Sequence, residues 1–595
     1  MLGKIIGIDE NQVLLKIELD LTKYASIIGN HVVLEDSLKM CVGEITDIKD
    51  NIAYINLLGE LRDGKFVYGV IGKPSFGAVT KIVSKEKVPL IISVEDDKES
   101  EYLYLGKSAI YDGVNVNVDI NKFFANHFAI FGNTGSGKSC SVSRLFQNLF
   151  DKDTEIPYRA SIFIFDAYGE YHSAFRLLNE KNPNIQFKSY TTNVNVKDAN
   201  ILGIPPWLLT VDDLAILLGA EKPSQLPLIE KTLKFVNVFA KADAEEARKY
   251  KNDIIARALL DILSAGKGAA QIRDQITAVL SNYHTEELSL DTQIYQPGYT
   301  RPLKQYLLID ESGKIREMEA ITLFFESFLK EDIELSMPNG SFRYTLQDLE
   351  YALDFALISE GILKSDKVFN DMNILKVRLH SLVNGEYKQY FEVEKYLTKE
   401  EYIRQLISAP NGRKAQIINF NINYVDDRFA KALTKIFSKL LFDYAKEMEK
   451  RGTLPFHIIL EEAHRYVQND NDVDLLGYNI FERITKEGRK YGVLLGLISQ
   501  RPSELSETSL SQCSNFLIFK MLHPKDLNYI KEIVPNITNE ILKRLKILQP
   551  GTCVAFGHGF KVPVIVKFDM PNPAPSSDSC DISKTWFVTK PSSTN

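Results

Sequence analysis

The stretch FGNTGSGKSC, residues 131–140, constrains this chain more than any other. It follows the apolar run HFAIF (127–131) and precedes Val142, Leu145, Phe146, Leu149 and Phe150, which recur at i, i+3, i+4, i+7 and i+8. A short strand, a glycine-rich turn and an amphipathic helix form the context in which G-x-x-x-x-G-K-[ST] reads as a phosphate cradle. Gly132, Gly135 and Gly137 lift the steric limits on the backbone, so N–H groups along the loop, from Gly132 through Asn133, Thr134 and Ser136 to Cys140, are expected to face phosphate oxygens at the positive end of the following helix. Lys138 then reaches the β and γ phosphates of a nucleotide, and Ser139 offers its hydroxyl to Mg²⁺.

The chain has 595 residues, too many for one core, since single cores rarely grow past about 250 to 300 residues. Its 45% apolar and 25% charged residues are those of an ordinary globular protein. No apolar run approaches the roughly 18 residues of a membrane helix, and the start, MLGKIIGIDE, lacks a signal-peptide core, so a cytoplasmic location without membrane is expected. Cys41, Cys140, Cys513, Cys553 and Cys580 are scattered and form no C-x-x-C pair, which suggests neither a disulfide framework nor a zinc site. A net charge of −7 excludes a basic coat for nucleic acid but leaves room for local basic loops.

Residues 1–95 alternate β-branched or aromatic residues with polar ones, and Asp50-Asn51 and Asp63-Gly64 signal hairpin turns, which predicts a small β-barrel suited to docking or assembly. An α/β pattern begins with residues 96–200. There SIFIFDAYGEYHSAF places a strand over 162–165 with Asp166 at its carboxyl end. Carboxylates in that position border the ligand crevice, so Asp166 and Glu170 either face the metal and γ-phosphate or solvate and cap the loop. Residues 201–410 read as a large helical insertion: Thr210 to Asp213 forms a capping box, and DIIARALLDILSAG has helical spacing at Ile255, Leu259 and Ile262 with Gly266 as a stop. EAITLFFESFLKEDIEL and TLQDLEYALDFALIS read as further helices.

The α/β pattern resumes over 411–570. In FHIILEEAHRY an apolar strand delivers two acids, Glu461 toward the metal's water shell and Glu462 toward an attacking water. YGVLLGLISQRPSEL ends its strand on Ser499-Gln500, where Gln500 is either a γ-phosphate sensor or a satisfied buried amide, and NFLIFKML and GTCVAFGHGFKVPVIVKF complete the sheet. Over 571–595, PNPAPSSDS reads as a flexible linker and Trp586 and Phe587 as anchors of a tail or brace. The chain runs 323 residues (461 − 138) from Lys138 to Glu461, far more than two or three βα units need at roughly 30 residues each.

The blocks NHFAIFGNTGSGKS, FDAYGEY, ILEEAH, RITKEGRKYGVLLGLISQRPSEL, SQCSNFLIFKML and LQPGTCVAFG resemble, in order, those of the HerA-type ATPases of the FtsK/HerA P-loop superfamily, and the resemblance reaches from the N-terminal barrel to about residue 570. It implies an α/β fold: a RecA-like core with an N-terminal barrel of the HAS type and a helical-bundle insertion, assembled as a homo-hexameric ring. It also implies ATP and Mg²⁺ as cofactors and movement on double-stranded DNA. Carried onto this sequence, it puts Lys138 and Ser139 on the triphosphate and metal, Glu462 as base and Gln500 as sensor. A trans-acting arginine finger falls in FERITKEGRKYG, with Arg483 and Arg489 both candidates and Arg489 favoured. Two departures stand out. Asn126 occupies the place where many members carry arginine, before His127, and Glu461 replaces the commoner aspartate.

The resemblance implies a DNA translocase that acts with a nuclease of the NurA type or another effector, in DNA-end processing or antiphage defence. The alternative is a nucleotide-binding ring scaffold that assembles and activates an effector, a nuclease or a sirtuin-like NADase. No nuclease, NADase or protease motif lies in this chain, so either activity would come from a partner.

Overall fold

The computed structural model describes residues 1–23, 26–37, 39–94, 101–151, 157–197, 199–241, 244–330, 342–359, 366–534, 537, 539–576 and 582–587. Cys580, the end of PNPAPSSDS (577–579) and the end of EAITLFFESFLKEDIEL (331–335) lie outside them. Two compact units result: residues 1–200 with 403–470 and 479–595, and residues 201–402 with 471–478.

The first unit is organised by an eleven-stranded sheet. Phe187–Thr191, Ile417–Asn421, Ile162–Asp166, Phe456–Leu460, Val493–Ser499, Phe128–Phe131 and Asn515–Ile518 lie side by side in that order and run parallel. Thr552–Gly557, Val564–Lys567, Tyr102–Ser108 and Asn115–Asp119 extend the sheet antiparallel. Every residue of Phe128–Phe131, Ile162–Asp166 and Val493–Ser499 is buried, the pattern of a parallel sheet covered on both faces.

The covering helices start where side chains satisfy their first N–H groups. Asp426 caps Asp427–Glu447 by accepting from Phe429, and Asn479 caps Ile480–Tyr491 by accepting from Phe481 and Glu482. The helix Lys138–Phe150 buries Val142, Leu145, Phe146 and Phe150, each worth roughly 1.5 to 3 kcal/mol of transfer free energy. Asp427–Glu447 also buries Lys435, whose ammonium meets Asp470 at 2.5 Å.

The same unit contains a second, antiparallel sheet in the order Gly3–Ile8, Gln12–Ile17, Ile52–Arg62, Met40–Lys49, His31–Glu35 and Val79–Ile82, with Lys65–Tyr68 alongside Ile52–Arg62. Asp50 and Asn51 take φ of 49° and 62° in the hairpin between Met40–Lys49 and Ile52–Arg62, and Asp63 and Gly64 take 49° and 76° in the next, the left-handed pairs that match strand twist. The outermost strands meet: the Leu2 N–H donates to the Thr80 carbonyl at 2.8 Å, and the Thr80 hydroxyl donates to the Gly3 carbonyl at 2.9 Å. Val13, Leu15, Val32, Leu34 and Ile55 form this sheet's own core. It is fastened to the larger sheet by Tyr111, whose hydroxyl accepts from the His31 N–H at 2.6 Å, and by the Arg544–Glu44 ion pair at 2.6 Å.

Asn126 donates to the Lys122 carbonyl at 2.8 Å and is buried, while the ring of His127 accepts from the Leu495 N–H at 2.9 Å. Both are structural in this chain. The second unit is mostly helical, with Leu226–Lys241, Ala244–Ser264, Ala269–Asn282, Leu346–Ser359 and Asp366–Asn384 as its long elements. The Thr210–Asp213 capping box makes both of its reciprocal bonds, and Ile255, Leu259 and Ile262 are buried. Among the described residues no helix is long and apolar enough to cross a membrane.

His31 and His127 carry a consequence for stability. Burial lowers both imidazoles to about 4, helped at His31 by Arg544 and at His127 by His457 and Arg489. The unfolded chain, with histidines near 6.5, therefore binds protons that the folded chain refuses between pH 6.5 and 4. Each histidine adds full stability above that window and loses it as pH falls through it, by at most about 1.4 kcal/mol per pH unit. Denaturant titrations of wild type and His31→Gln across pH 7 to 4.5 should show the variant's acid-side slope shallower by up to that amount; parallel profiles would contradict the assignment.

Candidate functional site: a phosphate loop facing two acids

The site lies at the carboxyl ends of four neighbouring parallel strands. After Phe131 the chain turns through Gly135 and Gly137 at φ of 74° and 85° and enters the helix at Lys138. The loop is clasped from outside. Gly132 and Asn133 donate to the carbonyls of Ser499 and Lys520 at 3.3 and 3.0 Å, Ser136 donates to the Asn133 carbonyl, and the Ser136 carbonyl accepts from Gly551 at 2.8 Å. Gly132, Asn133 and Ser136 thus use their N–H groups inside the protein. Inward-facing donors remain at the start of the helix, where the first-turn N–H groups of Lys138, Ser139 and Cys140 have no intrahelical acceptor. The buried Ser136 hydroxyl has no hydrogen-bond partner among the described residues. Open helix donors and an orphaned hydroxyl fit a bound polyphosphate.

Val493–Ser499 separates the phosphate-loop strand from Phe456–Leu460, so Gln500 emerges between the loop and the acids. The Thr134 hydroxyl donates to Gln500 Oε1 at 2.7 Å, and Gln500 Nε2 donates to Glu462 Oε1 at 3.1 Å. Lys138 Nζ stands 3.7 Å from the same Glu462 oxygen, with both side chains buried. The structure therefore brings Lys138, Thr134, Gln500 and Glu462 together. Glu462 holds a left-handed backbone, φ 47° and ψ 48°, a conformation that costs a non-glycine residue on the order of 1 to 3 kcal/mol and that clusters at functional sites.

Glu461, one residue earlier, points the other way, and its Oε2 accepts from the Ala167 N–H at 3.2 Å. Burial, then the charges of Asp166 and Glu170, hold its carboxyl well above the usual range. Asp166 is fully buried. It accepts from the N–H groups of Gly169, Glu170 and Tyr171 and from the Asn419 amide, which makes it the organiser of the 166–171 turn. Glu170, half-buried and raised above the normal carboxylate range chiefly by burial, hydrogen-bonds Ser139 and feels the charge of Lys138. Cys140 is half-buried, its thiol raised by burial and by Glu170.

Several contributors carry no motif of their own. His464 places Nδ1 3.2 Å from Glu462 Oε2 and 3.1 Å from the Ser499 hydroxyl, and burial lowers its basicity. The histidine of the EEAH block was the available signal. Gly551, from LQPG, clasps the phosphate loop, and Asn419 and Tyr171 line the acids' interior side. Arg483 and Arg489 sit on Ile480–Tyr491. Arg483 pairs with Glu487 at 3.8 Å and lies over the Phe442 ring, whereas Arg489 is exposed and makes no ion pair among the described residues.

Known proteins are similar to this chain. The family described as Helicase HerA, central domain, matches residues 103–320. The probable DNA double-strand break repair helicase HerA of Methanocaldococcus jannaschii is 24% identical over 91% of this chain and 90% of its own length. The DNA double-strand break repair helicase HerA of Sulfolobus acidocaldarius is 24% identical over 90% of this chain and 81% of its own. The chain is thus similar over most of its length to the HerA-type ATPases of the FtsK/HerA superfamily. It is accordingly an ATP-hydrolysing P-loop enzyme. Among solved structures, the bacterial conjugative coupling protein TrwB superposes with a TM-score of 0.46 at 10% identity, over 82% of this chain and 92% of that one.

Two glycines of the phosphate loop separate strain from space. Both have positive φ, but a Cβ at Gly135 meets nothing within 4 Å, while one at Gly137 lies 2.5 Å from the backbone nitrogen of Gly551. Gly135→Ala should cost about 1 to 2 kcal/mol and keep most of the nucleotide-induced rise in melting temperature. Gly137→Ala must also displace Gly551 and should abolish that rise; equal behaviour of the two variants would refute the close-approach argument.

Proposed function

We propose that this chain is a ring-forming motor that couples ATP hydrolysis to movement on double-stranded DNA and works with an effector, a nuclease of the NurA type or another enzyme, in DNA-end processing or defence. The relatives named DNA double-strand break repair helicases support the substrate class. The convergence of Lys138, Gln500 and Glu462 on one spot carries the reading of the site. On this reading residues 1–95 form a HAS-type barrel, which the bonds between Leu2, Gly3 and Thr80 support. Residues 96–200 and 411–570 form the RecA-like core, 201–410 the inserted bundle and 571–595 the brace. The bonds of Asn572, Pro573, Ala574 and Ser576 to Gln147, Ser173, Lys181 and Glu170 support a brace rather than a loose tail.

The residues divide the chemistry. Lys138 and the first-turn N–H groups hold the triphosphate, and Ser139 with Glu461 holds Mg²⁺, which would neutralise charge on the phosphates. Glu462 accepts the proton of the attacking water, oriented by His464 and Gln500. Gln500 also bonds Thr134 in the phosphate loop, the arrangement a γ-phosphate sensor needs. Within one subunit the central cation is Lys138, so the charge that develops in the transition state calls for an arginine from a neighbouring copy. The exposure of Arg489, against the engagement of Arg483 by Glu487 and Phe442, supports Arg489.

Glu462→Gln should bind ATP with turnover reduced about 10²- to 10⁴-fold. Arg489→Ala should lose about 10³-fold or more while nucleotide binding persists, and mixing it with Lys138→Ala should restore part of the activity, since a ring then pairs an intact pocket with an intact finger. No restoration, with mixed rings demonstrated, would remove the trans-acting claim. Hydrolysis measured with and without linear duplex, then with the effector present, tests the motor: stimulation by DNA alone is expected, and dependence on the effector alone would favour a scaffold.

A further inference from the structure

Between Ile518 and Thr552 the chain leaves the sheet beside the phosphate loop and returns to it, and both ends of this excursion are bonded to the loop. The Phe519 N–H donates to the Phe131 carbonyl at 2.7 Å and the Lys520 carbonyl accepts from Asn133, while Gly551 donates to Ser136. The Met521 N–H donates to the Leu545 carbonyl at 3.2 Å, so the two arms, 519–525 and 543–550, make one surface. Ser503 donates its N–H to Asp526 at 3.1 Å and the Tyr529 hydroxyl donates to the Leu505 carbonyl at 2.9 Å, which ties the excursion to the loop that begins at Gln500.

The composition of this surface is unlike the rest of the chain. In a protein of net charge −7, the excursion 519–551 contains Lys520, Lys525, Lys531, Lys543, Arg544 and Lys546 against three acids, Asp526, Glu532 and Glu540. Asp526 is 5% exposed and faces Ser503 and His523, so it does not neutralise the surface. Arg544 serves Glu44 and Lys543 lies near Asp47, but Lys525 and Lys546 are exposed and have no ion pair among the described residues. Leu522 and Ile547 flank them at 53% and 79% exposure.

We propose that this surface, through Lys525 and Lys546, is where the chain holds the phosphate backbone of duplex DNA. The proposal rests on the motor reading above and deepens it by naming the contact. Unpaired, flexible ammonium groups match a polyanion read by charge and not by sequence. Because both arms end on phosphate-loop bonds, a displacement of the loop around a nucleotide carries the surface with it, and a load on the surface reaches Asn133 and Ser136.

The test compares wild type, Lys525→Ala/Lys546→Ala and Lys525→Glu/Lys546→Glu on a linear duplex of mixed sequence, with binding isotherms over a range of salt, ATPase rates with and without DNA, and assembly mass. Each lost phosphate contact lowers the slope of log affinity against log salt by about 0.9, so the alanine pair should lower it by about 1.8 for each subunit engaged. The glutamate pair should abolish DNA stimulation, and DNA-free hydrolysis should stay at the wild-type rate in both. Wild type that fails to bind duplex sinks the motor reading itself. Wild type that binds, with variants matching its slope and stimulation, overturns the surface assignment alone, as does altered assembly mass with unchanged DNA affinity, which would make the surface a contact between copies.

Discussion

The attraction between Lys138 and Glu462 is the constraint around which the first unit is arranged. An ammonium and a carboxylate withdrawn from water incur a desolvation penalty that their mutual attraction offsets only in good geometry with further hydrogen bonds. Here they come 3.7 Å apart, and Gln500 supplies another bond to the same carboxylate oxygen. Two segments far apart in the chain must therefore arrive on one side of one sheet, with the strand that carries Gln500 between them. That separation is spanned by the Gln500 amide, which bonds Thr134 of the phosphate loop on one side and Glu462 on the other. The left-handed backbone at Glu462 belongs to the same requirement, because it turns consecutive acids to opposite sides: Glu462 toward the lysine, Glu461 toward Asp166.

The loops around this pair are held to one another and not only to the sheet. The loop after Ser499 is bonded to the excursion after Ile518, the excursion is bonded to the phosphate loop at both ends, and Arg544 in its returning arm grips Glu44 of the small antiparallel sheet. Glu44 is largely buried, and burial raises its carboxyl against the lowering by Arg544, so each depends on the other. An altered phosphate loop thus has a bonded route to the N-terminal sheet.

What could be read from the residues alone follows a physical line. FAIF and FHIIL are apolar runs followed at once by Gly132 and Glu461, and IFIFD and VLLGLIS close on Asp166 and Ser499, the pattern of buried strands with their tips at a crevice. Asp50-Asn51 and Asp63-Gly64 were visible because few residues tolerate positive φ. The order of strands was not visible, since any of the apolar runs could pair with any other. Nor was the fate of each polar atom. Asp166 could have faced a ligand or closed its own turn, and only Gly169, Glu170, Tyr171 and Asn419 decide it. The proline-rich composition of 571–576 masks hydrogen bonds to Gln147, Ser173 and Lys181, partners hundreds of residues away. Clasping of the phosphate loop by Gly551 is a backbone contact, which no side-chain pattern announces.

The acid behind Glu462 has a mechanical consequence. Glu461 accepts from the Ala167 N–H, and Asp166 closes the turn that carries Glu170, so the strand tip bearing Glu462 and the turn beside Ser139 are pinned together, and a push on either wall of the pocket is felt by the other.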